Sequence, residues 1–327
     1  MWYGSEDDAF FDFPSISKNR KIKYPMLPEE YIEKINSPPS LRITPKVNGE
    51  IRILSADIAL MSSKKNANDA TAIFINRMTP TKAGRYISNI VYAETYEGLT
   101  TDVQSLIIRK MFEDYSCDYL VLDCAGVGLG IYDSLIRDIV DTDTGEIYPA
   151  LSCCNNSEMA DRCTVLGAPK VIWAIKAGAQ FNSDCAYLLR EAFRSGRIRL
   201  LENEDVADRE SLTDIKGYKG LNTIVKAKIL APYVQTTYLI DELTKLQHEE
   251  SGGKIKIFEK SGMRKDRYSS LSYNFYVATQ IEAKMNKRAR NNVNGENMFI
   301  IKAPKPKGKA VNVLNGRHSN RPSWQHY

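Results

Sequence analysis

The stretch Tyr119-Leu120-Val121-Leu122-Asp123-Cys124-Ala125-Gly126-Val127-Gly128-Leu129-Gly130 decides the fold. Its apolar run suits a short strand buried on both faces at the centre of a sheet. The run closes on Asp123, glycines follow at alternate positions, and residues 131–140 then read as a helix. Strand, glycine turn and helix together make the opening of an α/β crossover.

Upstream, residues 51–60, 70–78 and 86–96 read as three strands joined by loop-like links, which favours an antiparallel meander. Residues 100–115 place Val103, Leu106, Ile107 and Met111 at helical spacing, with Thr100 or Thr101 as a cap. Downstream, a strand is expected near 147–153, a helix over 182–196 stopped by Gly196, and a strand over 197–201. A longer helix or a helix pair, disturbed by Pro232, is expected over 223–248. Residues 254–259 alternate like an edge strand, and a helix starting at Asp266 carries the stripe Leu271, Phe275, Ala278, Ile281 and Met285. Three strands, helix, strand, helix, strand is a mixed α/β order, a meander followed by parallel crossovers, and it resembles the ribonuclease H-like fold. In that fold the first and fourth strands lie side by side.

The domain reading follows from composition. Residues 1–48 are broken by six prolines and read as an extended lead-in with one short helix near 29–35. Residues 49–290 form the α/β domain, and residues 291–327 a basic C-terminal tail whose Lys/Pro-rich part should be extended and solvated. The net charge of +5 is uneven: residues 284–327 hold ten Lys or Arg and one acid, giving +9, and leave −4 on the rest.

Asp is disfavoured inside strands, because its short polar group competes for backbone hydrogen bonds and buries poorly. Yet Asp57 interrupts Ile53-Leu54-Ser55-Ala56-Asp57-Ile58-Ala59-Leu60, and Asp123 closes the central strand. Asp266 opens a late helix. Each has a bland reading: Asp57 as a bulge residue, Asp123 as a turn, Asp266 as an N-cap. Together they fit converging carboxylates that hold two Mg2+ or Mn2+ ions for phosphodiester hydrolysis. Asp69 at the start of the second strand, a loop-ending acid with a structural reading of its own, is a fourth candidate as an auxiliary ligand, and Asp118 and Asp133 are weaker candidates. Lys284, Lys287, Arg288, Arg290, Lys302, Lys305, Lys307 and Lys309 are expected to contact DNA phosphates without reading bases.

Other chemistries find little footing. Histidine occurs only at 248, 318 and 326, against Ser-His-Asp or Cys-His catalysis. The six cysteines form no C-x-x-C pair, against a zinc site, and are expected to be reduced. The glycines after Asp123 are spaced G-x-G-x-G with the acid before them, unlike a dinucleotide loop. No phosphate-binding G-x-x-x-x-G-K loop ending in Ser or Thr is present, so no ATP hydrolysis is expected. Neither a signal peptide nor an apolar run of membrane-spanning length is found, and the compartment is expected to be the cytoplasm.

Ser55-Ala56-Asp57-Ile58-Ala59 with Asn68-Asp69-Ala70-Thr71, then Leu122-Asp123-Cys124-Ala125-Gly126-Val127-Gly128, then Lys265-Asp266-Arg267-Tyr268-Ser269-Ser270-Leu271, resemble the nuclease domain of the large terminase subunit of tailed double-stranded DNA bacteriophages. Segments 172–182 and 189–200 add to the likeness, which spans roughly residues 50–285. The resemblance implies a metal-dependent endonuclease that cuts concatemeric viral DNA during genome packaging in an infected bacterium. It implies double-stranded DNA, a packaging ATPase portion, a small terminase subunit and a portal as partners. Trp2–Phe11 resembles the end of that ATPase region, so the chain is expected to be the C-terminal portion. The alternatives are another ribonuclease H-like nuclease, of junction-resolvase or transposase type, and a non-catalytic DNA- or portal-docking module.

Overall fold

The computed structural model describes residues 9–32, 41–59 and 70–298. The chain runs through helix α1 (Phe13–Ser17), strand β1 (Arg20–Ile22), α2 (Glu29–Ile32), β2 (Ile51–Asp57), β3 (Thr71–Pro80), β4 (Tyr86–Tyr96), α3 (Thr101–Asp114), β5 (Tyr119–Asp123) and α4 (Val127–Leu135). It continues through β6 (Ile139–Val140), β7 (Ile147–Tyr148), β8 (Ser152–Cys153), α5 (Ser157–Asp161), β9 (Lys170–Ile175), α6 (Ala179–Ser195) and β10 (Ile198–Leu201). Then come α7 (Glu204–Val206), α8 (Thr223–Lys245), the hairpin strands β11 (Gln247–Ser251) and β12 (Lys254–Phe258), and α9 (Asp266–Met298).

Eight strands form one sheet in the order β1-β10-β4-β3-β2-β5-β9-β8. β2, β3 and β4 are an antiparallel meander. β5 then pairs parallel to β2, and β9 parallel to β5. This is the ribonuclease H-like arrangement, with the first and fourth strands of the motif adjacent at the centre. β12 pairs only with β11, in a separate two-stranded ribbon, instead of edging the main sheet.

Side chains alternate across a strand, so each strand serves two cores. Leu54 and Ala56 of β2 and Leu120 and Leu122 of β5 pack with Ile108, Phe112, Ile131 and Tyr132 of α3 and α4. The opposite face buries Ala72, Phe74 and Ile90 against Leu189 and Phe193 of α6, Leu239 and Leu243 of α8, and Leu271 and Phe275 of α9. Residues 9–32, read from sequence as an extended lead-in, join this body. Phe10, Phe11 and Ile16 are buried in the second core, and β1 extends the sheet beside β10. The prolines hid short elements whose hydrogen-bond partners lie far away in sequence. Residues up to Ala283 form one compact unit, and α9 from Lys284 onward belongs to a second.

Three local readings change. α4 begins at Val127, within the glycines, and not at residue 131. The strand expected over 147–153 splits into β7 and β8, which belong to different sheets. Pro232 lies inside α8 without ending it.

A buried polar ladder fixes α9 to the sheet. Asn274 donates to Ser55 Oγ at 3.1 Å and to the Ile53 carbonyl at 3.3 Å, and accepts from the Asn76 amide at 2.8 Å. Ser270 and Ser55 share a hydrogen bond of 3.0 Å. Truncating Asn274 leaves one N–H of the Asn76 amide without an acceptor in a dry interior, its other partner being Ser88 Oγ at 3.1 Å, and removes both bonds that Asn274 donates, at about 1–3 kcal/mol per stranded group. Asn274→Ala should therefore lower the urea midpoint by an amount corresponding to about 2 kcal/mol or more. An unchanged midpoint would remove the ladder from any account of how α9 is held.

Candidate active site

The pleat that builds the two cores also aims the acids. Ser55 faces α9, so Asp57, two residues later, faces the same side. Asp123 shares the parity of Val121, opposite to Leu120 and Leu122, and so points to that side as well. The register Ala56↔Leu122 puts Asp57 and Asp123 level with each other, one step beyond the last paired residues. Adjacent strands lie about 4.8 Å apart, so neighbouring carboxylates at this level are close. Asp266, first residue of α9, is brought to the same end of the sheet by its Oδ2, which accepts the Ala70 N–H at the start of β3 at 3.0 Å. All three acids are half-buried.

Their electrostatics reflect this crowding. Burial raises the Asp57 carboxyl well above its ordinary value, and the charges of Asp266 and Asp123 push it further. A hydrogen bond from Ser269 acts the other way, and Glu242 adds a further repulsion. Burial also raises Asp123, partly offset by the Ala125 N–H, which donates to Asp123 Oδ1 at 2.9 Å. The Tyr273 hydroxyl feels both Asp123 and Asp57 and donates to Asn182 at 3.2 Å.

The turn after Asp123 needs its glycines. Gly126 has φ +57°, ψ −117°, a conformation open to glycine. At Gly128 a Cβ would sit 1.7 Å from the Asp123 carbonyl oxygen, so the helix starts directly over the acid only because that atom is missing.

Among the described residues no three acidic, His or Cys side chains group so as to hold one metal ion. The donors nevertheless suit a hard divalent cation. They are all carboxylate oxygens, and their mutual repulsion is what a cation would relieve. Mg2+ is commonly held by one or two carboxylates, with waters and substrate phosphates completing its shell.

The weaker candidates serve the framework. Asp118 accepts from the Arg52 N–H at 2.8 Å and pairs with Lys46 at 2.7 Å. Asp133 takes a forked bond from Arg162. Asp69, Lys302, Lys305, Lys307 and Lys309 lie outside the described residues, as do the side chains of Arg288 and Arg290. Lys284 and Lys287 are exposed on the second unit's part of α9. Sequence reading missed Glu242, a buried acid beside Asp266. Its signal was there: it falls three residues after Leu239 and four before Leu246, on an apolar stripe where a carboxylate is out of place. No helix of the described residues is long and apolar enough to cross a membrane.

No protein-family model matches the sequence, and no curated protein matches it. Among solved structures the chain is similar to the large terminase nuclease of the thermophilic phage G20c with bound magnesium, at 14% identity and TM-score 0.41, over 70% of this chain and 82% of that one. It is likewise similar to the nuclease domain of the large terminase subunit gp2 of bacterial virus Sf6, at 10% identity and TM-score 0.40, over 84% of this chain and 97% of that one.

Proposed function

We propose that this chain is a metal-dependent DNA endonuclease in which Asp57, Asp123 and Asp266 hold Mg2+ or Mn2+. The observation that supports this reading is that β2, β5 and the start of α9 bring Asp57, Asp123 and Asp266 to one end of the sheet, where Asp266 and Asp123 both act on the Asp57 carboxyl. Like charges so placed destabilise a protein unless a cation joins them. Bound there, a pair of divalent ions would polarise the phosphodiester and lower the pKa of an attacking water. The chain's own part is to hold the carboxylates still: Ala125 N–H and Ala70 N–H each fix one carboxylate oxygen. The biological setting that best suits the motifs is the cutting of concatemeric viral DNA during packaging in an infected bacterium. A packaging ATPase portion, a small terminase subunit and a portal would be its partners.

The deciding experiment is plasmid cleavage by the pure chain with Mn2+, with Mg2+ and with EDTA. Cleavage with metal and none with EDTA is expected. DNA binding with no cleavage under any metal would favour a docking module instead. Selective cutting of four-way junctions would favour a resolvase.

The basic tail is proposed to gather DNA through its phosphates. Each neutralised phosphate releases condensed counterions, so affinity should fall steeply with salt. Truncation before Asn291 leaves the three acids in place. It should weaken DNA binding and flatten the salt slope, roughly in proportion to the phosphate contacts removed, while cleavage persists at low salt. Equal affinity and slope for both chains, by anisotropy across a salt series, would exclude a DNA role for the tail.

A further inference from the structure

The first turn of a helix leaves backbone N–H groups without intrahelical acceptors. In α9 the Tyr268 N–H is taken by Glu242 Oε1 at 2.7 Å, from α8. The other oxygen of Glu242 faces Arg267 Nη1 at 3.3 Å. Arg267 Nε donates to Gln235 at 3.0 Å, and Gln235 also accepts from Thr95 of β4 at 3.1 Å. Glu242 and Arg267 are both buried, at 7% exposure. The two residues following Asp266 are thus tied to α8 and β4, while Asp266 itself receives the Ala70 N–H from the other side. A buried ion pair seldom stabilises a fold more than an apolar pair of the same volume. This one sits at the single turn whose direction decides where the third carboxylate points.

We propose that Glu242, acting through Arg267 and the Tyr268 N–H, is a positioning residue that aims Asp266 at the metal. The inference rests on the three-acid reading above. Glu242 itself is no ligand in this scheme, because both its oxygens are occupied.

The test is Mn2+ binding to the full chain by calorimetry, without DNA, for wild type, Glu242→Gln, Glu242→Ala and Asp266→Asn. Asp241→Asn serves as a control for charge alone, because it removes a half-exposed carboxylate that pairs with Lys245 on the same helix. Residues that orient metal ligands typically change metal affinity by about 10–100-fold. Glu242→Gln keeps an acceptor for Tyr268 and should weaken Mn2+ binding about tenfold, and Glu242→Ala more. Asp241→Asn should bind like wild type. Saturating Mn2+ should restore cleavage to Glu242→Gln but not to Asp266→Asn, which a merely structural loss would not produce. If Glu242→Ala fails to fold by circular dichroism, Glu242→Gln decides. Wild-type affinity in folded Glu242 variants, with Asp266→Asn impaired, would overturn the positioning role alone. No Mn2+ binding by wild type would overturn both this role and the nuclease reading.

Discussion

Asp57→Asn should abolish metal-dependent cleavage and yet make the metal-free protein more stable. The activity loss follows from removing a ligand. Charge stabilisation by a metal contributes several kcal/mol to the transition state, and each 1.36 kcal/mol is tenfold, so a loss of at least about a hundredfold is expected. The stability gain follows from the sign of the pKa shift. In the folded, metal-free protein the Asp57 carboxyl titrates well above its unfolded value, because it is buried beside Asp266 and Asp123. Between the two values the folded state binds more protons than the unfolded state, so stability falls as pH rises through that window. Glu242, raised by burial to about 7, extends the decline toward neutrality. Denaturation in EDTA from pH 4 to 8 should show wild type losing stability across this range and Asp57→Asn losing less. Added Mn2+ should stabilise wild type by mass action and leave Asp57→Asn nearly unmoved. A variant that cleaves DNA normally, or is less stable than wild type in EDTA at pH 7, would remove Asp57 from the metal site.

The same residue explains how much the sequence could reveal. β2 and β5 were legible because their apolar runs tolerate no other element, and an Asp inside such a run has few structural excuses. Asp266 was legible as a helix start. What links it to the others was not: the Ala70 N–H, the Ser55–Ser270 contact and Asn274 are pairings over some two hundred residues, and sequence periodicity carries only local order. β9 escaped as a strand because Val171-Ile172-Trp173-Ala174-Ile175 is a short apolar run that periodicity cannot assign. α4 was placed four residues late because glycine is a poor helix former, so Gly128 and Gly130 read as turn. β12 was taken for an edge strand because its alternation does not say which strand it joins. Glu242 was passed over because charge in a long amphipathic helix is assumed to face water.

The late placement of α4 conceals the second large effect. Gly128→Ala should disable the site while leaving all three acids in the sequence. The added Cβ would lie 1.7 Å from the Asp123 carbonyl oxygen and 2.9 Å from its carbonyl carbon. Those are backbone atoms at the end of a central strand, held by the Cys124 N–H bond to the Ile175 carbonyl at 2.9 Å, so they cannot swing aside as a flexible side chain would. Relief requires the start of α4 to lift from β5 by more than about 1 Å, which overpacking data price at roughly 1–3 kcal/mol or more. Asp123 moves with its own carbonyl, and the Ala125 N–H that fixes its Oδ1 lies within the displaced turn. A misplacement of about 1 Å can cost about a hundredfold in rate. Gly130→Ala makes the comparison clean, because a Cβ there meets nothing within 4 Å and alanine favours the helix. Gly130→Ala should therefore cleave DNA at the wild-type rate with equal or higher stability, whereas Gly128→Ala should fall about a hundredfold in cleavage and weaken in Mn2+ binding. Should the two variants behave alike, the close approach of helix to strand is not what aims Asp123, and the glycine turn is only a connection.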